Sequence, residues 1–262
     1  LMQWLQEFVS GSIAAYVWPF MRISAMFMVL TTIGSNSTPQ RVRLLLSATI
    51  TFAVAPALGP MPEIPLFSLS SFIIILQQLL IGIVIGFCSL LFMQTFVVGG
   101  QLIGMQTSLG FASMVDPANG QQVPIVGQFY LLLVTLLFFI LDGHLTFILM
   151  LIQSFETIPV ATTGLTSVAF KQVVDWGAWM FAGALTLALS AITALLLINL
   201  SFGVMTRAAP QLNIFAIGFP ITMLSGLFIL WLTLDGILLH YQTLWLEIQK
   251  LICQVVQLEC TF

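Results

Sequence analysis

Asp142, His144, Asp235 and His240 are the side chains whose types could move protons, the first three within long apolar runs and His240 directly after one. Acids and imidazoles set among apolar residues form proton relays in pumps and transporters, because modest changes in surroundings switch their protonation. All four stand toward the ends of their runs, however, which favours a wet, interfacial position over a buried relay. Arg22 lies inside the first apolar run beside Pro19. A charge at that depth is a functional-site candidate by default, set against snorkelling to headgroups or pairing with a protein carboxylate.

Enzymatic chemistry has no constellation to stand on. The chain carries no G-x-S-x-G, no P-loop, no Rossmann fingerprint and no His-rich metal spacing. Cys88, Cys253 and Cys260 form an odd set without a CxxC or a partnering His cluster. They read as inert packing or tail thiols, with no disulfide framework or zinc site expected. No cofactor is expected.

The elements that position these residues are membrane helices. The chain is 60% apolar and only 6% charged over 262 residues, too few charges to clothe a soluble domain. A net charge of −3, with Arg41 and Arg43 as the only close basic pair, argues against nucleic acid. The first seven residues lack the basic n-region of a secretory signal.

Six hydrophobic segments follow, at 13–33, 44–58, 67–103, 125–152, 176–200 and 214–239. The fold expected is therefore all-α and polytopic, with some segments broken or bent. The second segment is short and runs into Pro56, Gly59, Pro60, Pro62 and Pro65. The third is too long for one crossing, since ~37 residues at ~1.5 Å reach ~55 Å, and is expected to bend near Gly82 and Gly86 or to project from the bilayer. Small residues at Gly82, Gly86, Gly99, Gly100, Gly183, Ala184 and Gly226 suit close helix packing. Leu141-Asp142-Gly143 and Leu234-Asp235-Gly236 each close an apolar run, a recurrence that chance would allow. With six crossings, Arg41, Arg43 and Arg207 face Lys171 and Lys250 across the membrane, so the odd connections are expected in the cytoplasm and both termini outside.

Residues 104–124 do not fit that pattern. They hold Gly104, Gly110, Gly120, Pro117, Pro124 and Asp116, with Leu109, Phe111, Met114 and Val115 among them. The stretch is too broken to span and too apolar for a solvated loop. Irregular backbone survives at membrane depth only inside protein or lining a water-filled cavity, which points to a channel. Met105 and Met114 suit a deformable seal, although core gap-fillers would look the same.

Three passages carry a family resemblance. They are Thr38-Pro39-Gln40-Arg41-Val42-Arg43; Gly110-Phe111-Ala112-Ser113-Met114-Val115-Asp116-Pro117 continuing to Gly127-Gln128-Phe129-Tyr130; and the run from Arg207-Ala208-Ala209-Pro210-Gln211-Leu212-Asn213 through Ile214-Phe215-Ala216-Ile217-Gly218-Phe219-Pro220. In that order, over nearly the whole chain, they resemble the FliR family, the R subunit of the flagellar type III export gate. The resemblance implies that a single R subunit joins five P and four Q subunits in a helical assembly, the entrance channel for unfolded flagellar proteins, needed for flagellum assembly. It implies a non-catalytic subunit of the bacterial inner membrane and flagellar basal body, with its assembled part raised toward the periplasm.

Within the chain, the resemblance implies a P-like part over 1–170 and a Q-like helical hairpin with a C-terminal tail over 171–262, the hairpin itself at about 176–239 with its turn at 207–213. The family's plug, which blocks the closed channel, falls on 106–124, with Gly110, Phe111, Ala112, Ser113, Met114 and Val115 as its core and Asp116 and Pro117 following. Glycine lets backbone approach the channel axis, and the apolar side chains exclude water. Arg207, Pro210, Gln211, Leu212, Asn213 and Phe215 form the loop expected to contact a neighbour such as the B subunit at the entrance. The competing reading is a secondary transporter using the intramembrane Asp, His and Arg residues, which should show matching interruptions in two halves; one interruption dominates here.

Overall fold

A computed structural model describes residues 2–33, 38–59, 61–62, 68–111, 113–115, 122–208 and 214–260. The described residues form eight α-helices in the order α1 (Met2–Val29), α2 (Gln40–Val54), α3 (Leu69–Gln106), α4 (Ile125–Ile140), α5 (Gly143–Thr157), α6 (Ser167–Ala208), α7 (Ile214–Thr233) and α8 (Ile237–Val255). A two-stranded ladder of β1 (Ser113–Val115) and β2 (Gln122–Pro124) interrupts them. Among the described residues, the stretches 69–106, 167–208 and 218–255 are long and apolar enough to cross a membrane, and α4 and α5, bent by 65° at their break, pass the same test only when taken together.

Several boundaries differ from the sequence expectation. The third segment does not break at Gly82 or Gly86; α3 stays helical for 38 residues, about 57 Å at ~1.5 Å each. The fourth segment, expected as one run to 152, stops at Ile140 and restarts at Gly143. The break falls on Asp142, which takes a left-handed conformation with φ 54°. The matching tripeptide Leu234–Gly236 forms a 3-10 turn between α7 and α8. The Leu-Asp-Gly recurrence therefore marks two helix interruptions. The sixth segment also continues past Leu239 as α8, whose buried Tyr241, Leu244, Ile248, Leu251 and Ile252 recur at helical spacing.

The chain folds as two compact units, one of residues 1–91, 141–176 and 247–262, the other of 92–140 and 177–246. In the first, α1 lies on α3 over the Gly82-x-x-x-Gly86 spacing. A Cβ at Gly86 would stand 2.9 Å from both the Met26 carbonyl oxygen and Val29 Cβ, and one at Gly82 would overlap the Arg22 carbonyl. Backbones this close need glycine, so these two residues seat α1 as the small-residue spacing suggests, without the bend that the segment's length also allowed. Trp18, Ile74, Phe155 and Val160 fill the core beside that crossing.

In the second unit, Gly99 and Gly100 serve two neighbours. A Cβ at Gly99 would meet Leu187 Cδ2 of α6 at 2.6 Å, and one at Gly100 would meet Gly127 Cα of α4 at 2.8 Å. The same unit holds an aromatic cluster: Phe92 meets Tyr241 and Trp245 edge-on at 5.2 and 5.5 Å, and Phe138 meets Trp245 at 5.8 Å. Edge-to-face rings at these separations add about 0.5–1.5 kcal/mol each beyond burial.

Candidate functional site

The end of α3 delivers the chain into the interrupted stretch, and local hydrogen bonds shape the exit. Thr107 N–H bonds the Ile103 carbonyl at 3.1 Å, its hydroxyl donates to the Gly104 carbonyl at 3.0 Å, and Gly110 N–H returns to the Thr107 carbonyl at 3.1 Å. The 3-10 turn Ser108–Phe111 follows. At Gly110 a Cβ would lie 2.7 Å from the Gly104 carbonyl oxygen and 3.0 Å from Met105 Cα, so only glycine lets the chain double back onto α3.

Beyond the turn, the backbone pairs with itself. The antiparallel register sets Ser113 opposite Pro124, Met114 opposite Val123 and Val115 opposite Gln122, and β2 runs straight into α4. Sequence reading anticipated unpaired, irregular backbone here; the ladder satisfies part of it within the loop. Ala112, Asp116 and Pro117 lie outside the described residues.

At the base of this hairpin, α7 comes in. Thr107 occupies the place a side chain at Gly226 would take, with its Cβ 2.9 Å from a Cβ built there. Beside it, Leu109, Val126, Phe129, Leu230 and Trp231 line an apolar cavity of about 310 Å³. No polar group on that lining is arranged for catalysis, and no cluster among the described residues has the makings of a metal site.

The sequence profile of the family described as "Bacterial export proteins, family 1" matches residues 13–248. The flagellar biosynthetic protein FliR of Escherichia coli (strain K12) is 37% identical over 241 residues, 92% of each chain. That of Pectobacterium carotovorum subsp. carotovorum is 37% identical over 244 residues, 93% of each chain. A third, from Caulobacter vibrioides, is 31% identical over 222 residues, 83% of this chain and 87% of its own. The chain belongs to the FliR family. As a FliR-family member it is a flagellar export component with several apolar helices, consistent with the inner membrane.

The ionisable residues of this FliR-family chain have separate tasks. Arg22 neither snorkels nor meets a carboxylate: it is wholly buried and held by neutral acceptors. Its Nε donates to Gln78 Oε1 at 2.8 Å, Nη1 to the Ser154 carbonyl and hydroxyl, and Nη2 to the Ile158 carbonyl at 2.8 Å, with Phe155 stacked 4.0 Å from the guanidinium. A cation thus closes the C-terminal end of α5, giving a donor to the Ile158 carbonyl and adding to the Ile158 N–H that the Ser154 carbonyl already accepts. The ring nitrogen Nε2 of His240 pairs with the Gly183 carbonyl at 2.9 Å. Asp142 and Asp235 are exposed, both at helix interruptions.

The other candidate residues lie at the end of α6, the start of α7 and between them. Arg207 is exposed in the last turn of α6, where its charge complements the helix dipole. Pro210, Gln211, Leu212 and Asn213 lie outside the described residues, and Phe215 falls in the first turn of α7.

The cysteines correct the sequence reading. Cys253 and Cys260 form a disulfide, while Cys88 is free and buried in α3. The reason is the chain reversal after α8: Gln257 takes φ 57° and Leu258 N–H reaches back to the Cys253 carbonyl at 2.8 Å, bringing the two Cα atoms to 6.1 Å. No glycine marks that reversal, so sequence offered no signal beyond the pair's spacing.

Proposed function

We infer that this chain is the R-type channel subunit of the flagellar export gate, joining P and Q subunits around the entrance pore for unfolded flagellar proteins. Residues 1–170 act as the P-like part and 171–262 as the Q-like hairpin and tail, with the α6–α7 turn presented to the B subunit at the entrance. The chain catalyses nothing; it shapes and seals a conduit. A single R subunit with five P and four Q subunits is the assembly that this reading carries.

The plug is residues 106–124, with 110–115 at its core. The observation that supports this is the anchored hairpin: a self-paired loop of apolar composition, fastened to the end of a 38-residue apolar helix by Gly110 and Thr107. A segment with part of its backbone paired internally and its root fixed can enter a pore without exposing many unpaired N–H and C=O groups. Phe111, Met114 and Val115 then form an apolar constriction hostile to water and ions.

Deletion of 110–115 tests the reading. Cells carrying the deletion should take up small solutes and conduct ions through gates that still purify as a complex with P and Q. A fully assembled deletion gate as tight as the unmodified one would return the hairpin to the role of a buried connector.

A further inference from the structure

The turn closed by Cys253 and Cys260 is docked, not free. Val256, within the disulfide loop, is fully buried, and its carbonyl accepts a hydrogen bond from the Thr157 hydroxyl at the end of α5. Val256 N–H continues the helix to the Ile252 carbonyl at 2.9 Å, and Cys260 N–H bonds the Leu258 carbonyl at 3.1 Å. Cys253 is buried and Cys260 half-buried, so Cys260 is the sulfur an incoming reagent meets first.

Protein disulfides persist in the bacterial periplasm and are kept reduced in the cytoplasm. We propose that Cys253 and Cys260 are an oxidation site for a periplasmic CxxC thiol oxidase, and that the C-terminal end of α8 therefore stands on the periplasmic side. The thiolate of Cys260 attacks the oxidase disulfide, forming a mixed disulfide and releasing one oxidase thiolate. Cys253 thiolate then attacks the Cys260 sulfur and displaces the second. Two thiols lose two protons and two electrons, and the oxidase disulfide becomes a dithiol.

The bond also orients the hairpin. Residues 218–255 form a single apolar stretch of 38 residues, long enough at ~1.5 Å per residue to cross the bilayer once. With residue 253 in the periplasm, the α6–α7 turn carrying Arg207 faces the cytoplasm.

The test counts reactive thiols in the full chain made in its own membrane. After acid trapping and denaturation, a mass-tagging maleimide should add one tag, at Cys88, and three tags after reduction. In cells lacking the periplasmic thiol oxidase, three tags should add without reduction. Three tags in unreduced samples from oxidase-proficient cells, or one tag irrespective of the oxidase, would overturn the proposal. Sidedness is read separately on C88A/C253S, which leaves Cys260 alone. A membrane-impermeant maleimide should label it in cells whose outer membrane alone is opened; labelling only after the inner membrane is broken would place the site in the cytoplasm and overturn the proposal.

Discussion

Arg22 grips Ser154 twice, its Nη1 donating to the carbonyl oxygen at 2.9 Å and to the hydroxyl oxygen at 3.0 Å. The two residues come from α1 and α5, and Nε of the same guanidinium reaches Gln78 on α3, so one side chain fixes three helices. Arg22→Ala takes the donor from the buried Gln78 Oε1 and from the Ile158 carbonyl, at about 1–3 kcal/mol for each group left unsatisfied, while the Ser154 carbonyl keeps the Ile158 N–H. The expected loss is about 3–5 kcal/mol, seen as a lower thermal midpoint and a smaller amount of chain recovered in the gate complex. Arg22→Lys keeps the charge but lacks the planar fork and should recover less than half of that loss. Full stability in the Lys variant would show that charge alone closes α5.

Glycines that look alike in the sequence should behave differently. At Gly82 and Gly86 the obstructing atoms include α1 backbone, which cannot yield by a rotamer change, so Gly82→Ala and Gly86→Ala should each cost about 1–3 kcal/mol by forcing α1 outward. A Cβ at Gly177 or Gly203 meets nothing within 4 Å. Alanine at those two helical positions should be neutral or stabilise by up to about 1 kcal/mol in the isolated chain. Thermal melts of the four variants in one detergent separate the classes. If Gly203→Ala is harmless to the isolated chain yet lowers recovery of the assembled gate, that surface of α6 packs against a neighbouring subunit.

Thr107 and Gly226 should be energetically coupled. Gly226→Ala drives a methyl into the Thr107 side chain, an overpacking worth about 1–3 kcal/mol. Thr107→Ala removes the obstructing Cγ2 and the hydrogen bond to the Gly104 carbonyl. The double variant should be more stable than the sum of the single changes implies, by about 1 kcal/mol. Swarming on soft agar should follow the same order. Strict additivity would separate the end of α3 from α7.

The apolar segments and the interrupted stretch at 104–124 were legible because composition alone excludes other solvents and because glycine and proline mark irregular backbone. What stayed hidden depends on partners distant in the chain. Arg22 gave no sign that backbone carbonyls at a helix end more than a hundred residues away would receive it. The break at Asp142 lies inside an apolar run with no proline, so hydropathy carried the expected helix through it. Gly82 and Gly86 could equally have served bending or packing; only the position of α1 decides. Self-pairing of β1 and β2 was likewise obscured, because three-residue strands are too short for any alternation to show.

The root of the proposed plug supplies the sharpest contrast. Gly104 and Gly110 stand six residues apart, and either might be credited with giving the loop its freedom. A Cβ at Gly104 meets Val126 at 3.6 Å, ordinary contact, so Gly104→Ala should leave both stability and gate tightness unchanged. At Gly110 the obstruction is backbone of the last turn of α3, 2.7 Å away, and alanine there must push the loop off its helix. A strain of about 1–3 kcal/mol placed on the seated loop shifts a closed-to-open equilibrium by roughly five- to 150-fold. Gly110→Ala gates should therefore leak ions at a level between the unmodified gate and the 110–115 deletion, with assembly intact, when conductance is recorded in cells at rest. A tight Gly110→Ala gate beside a leaking deletion would mean that the loop seals without its seat on α3, and the anchoring role of Gly110 would fall.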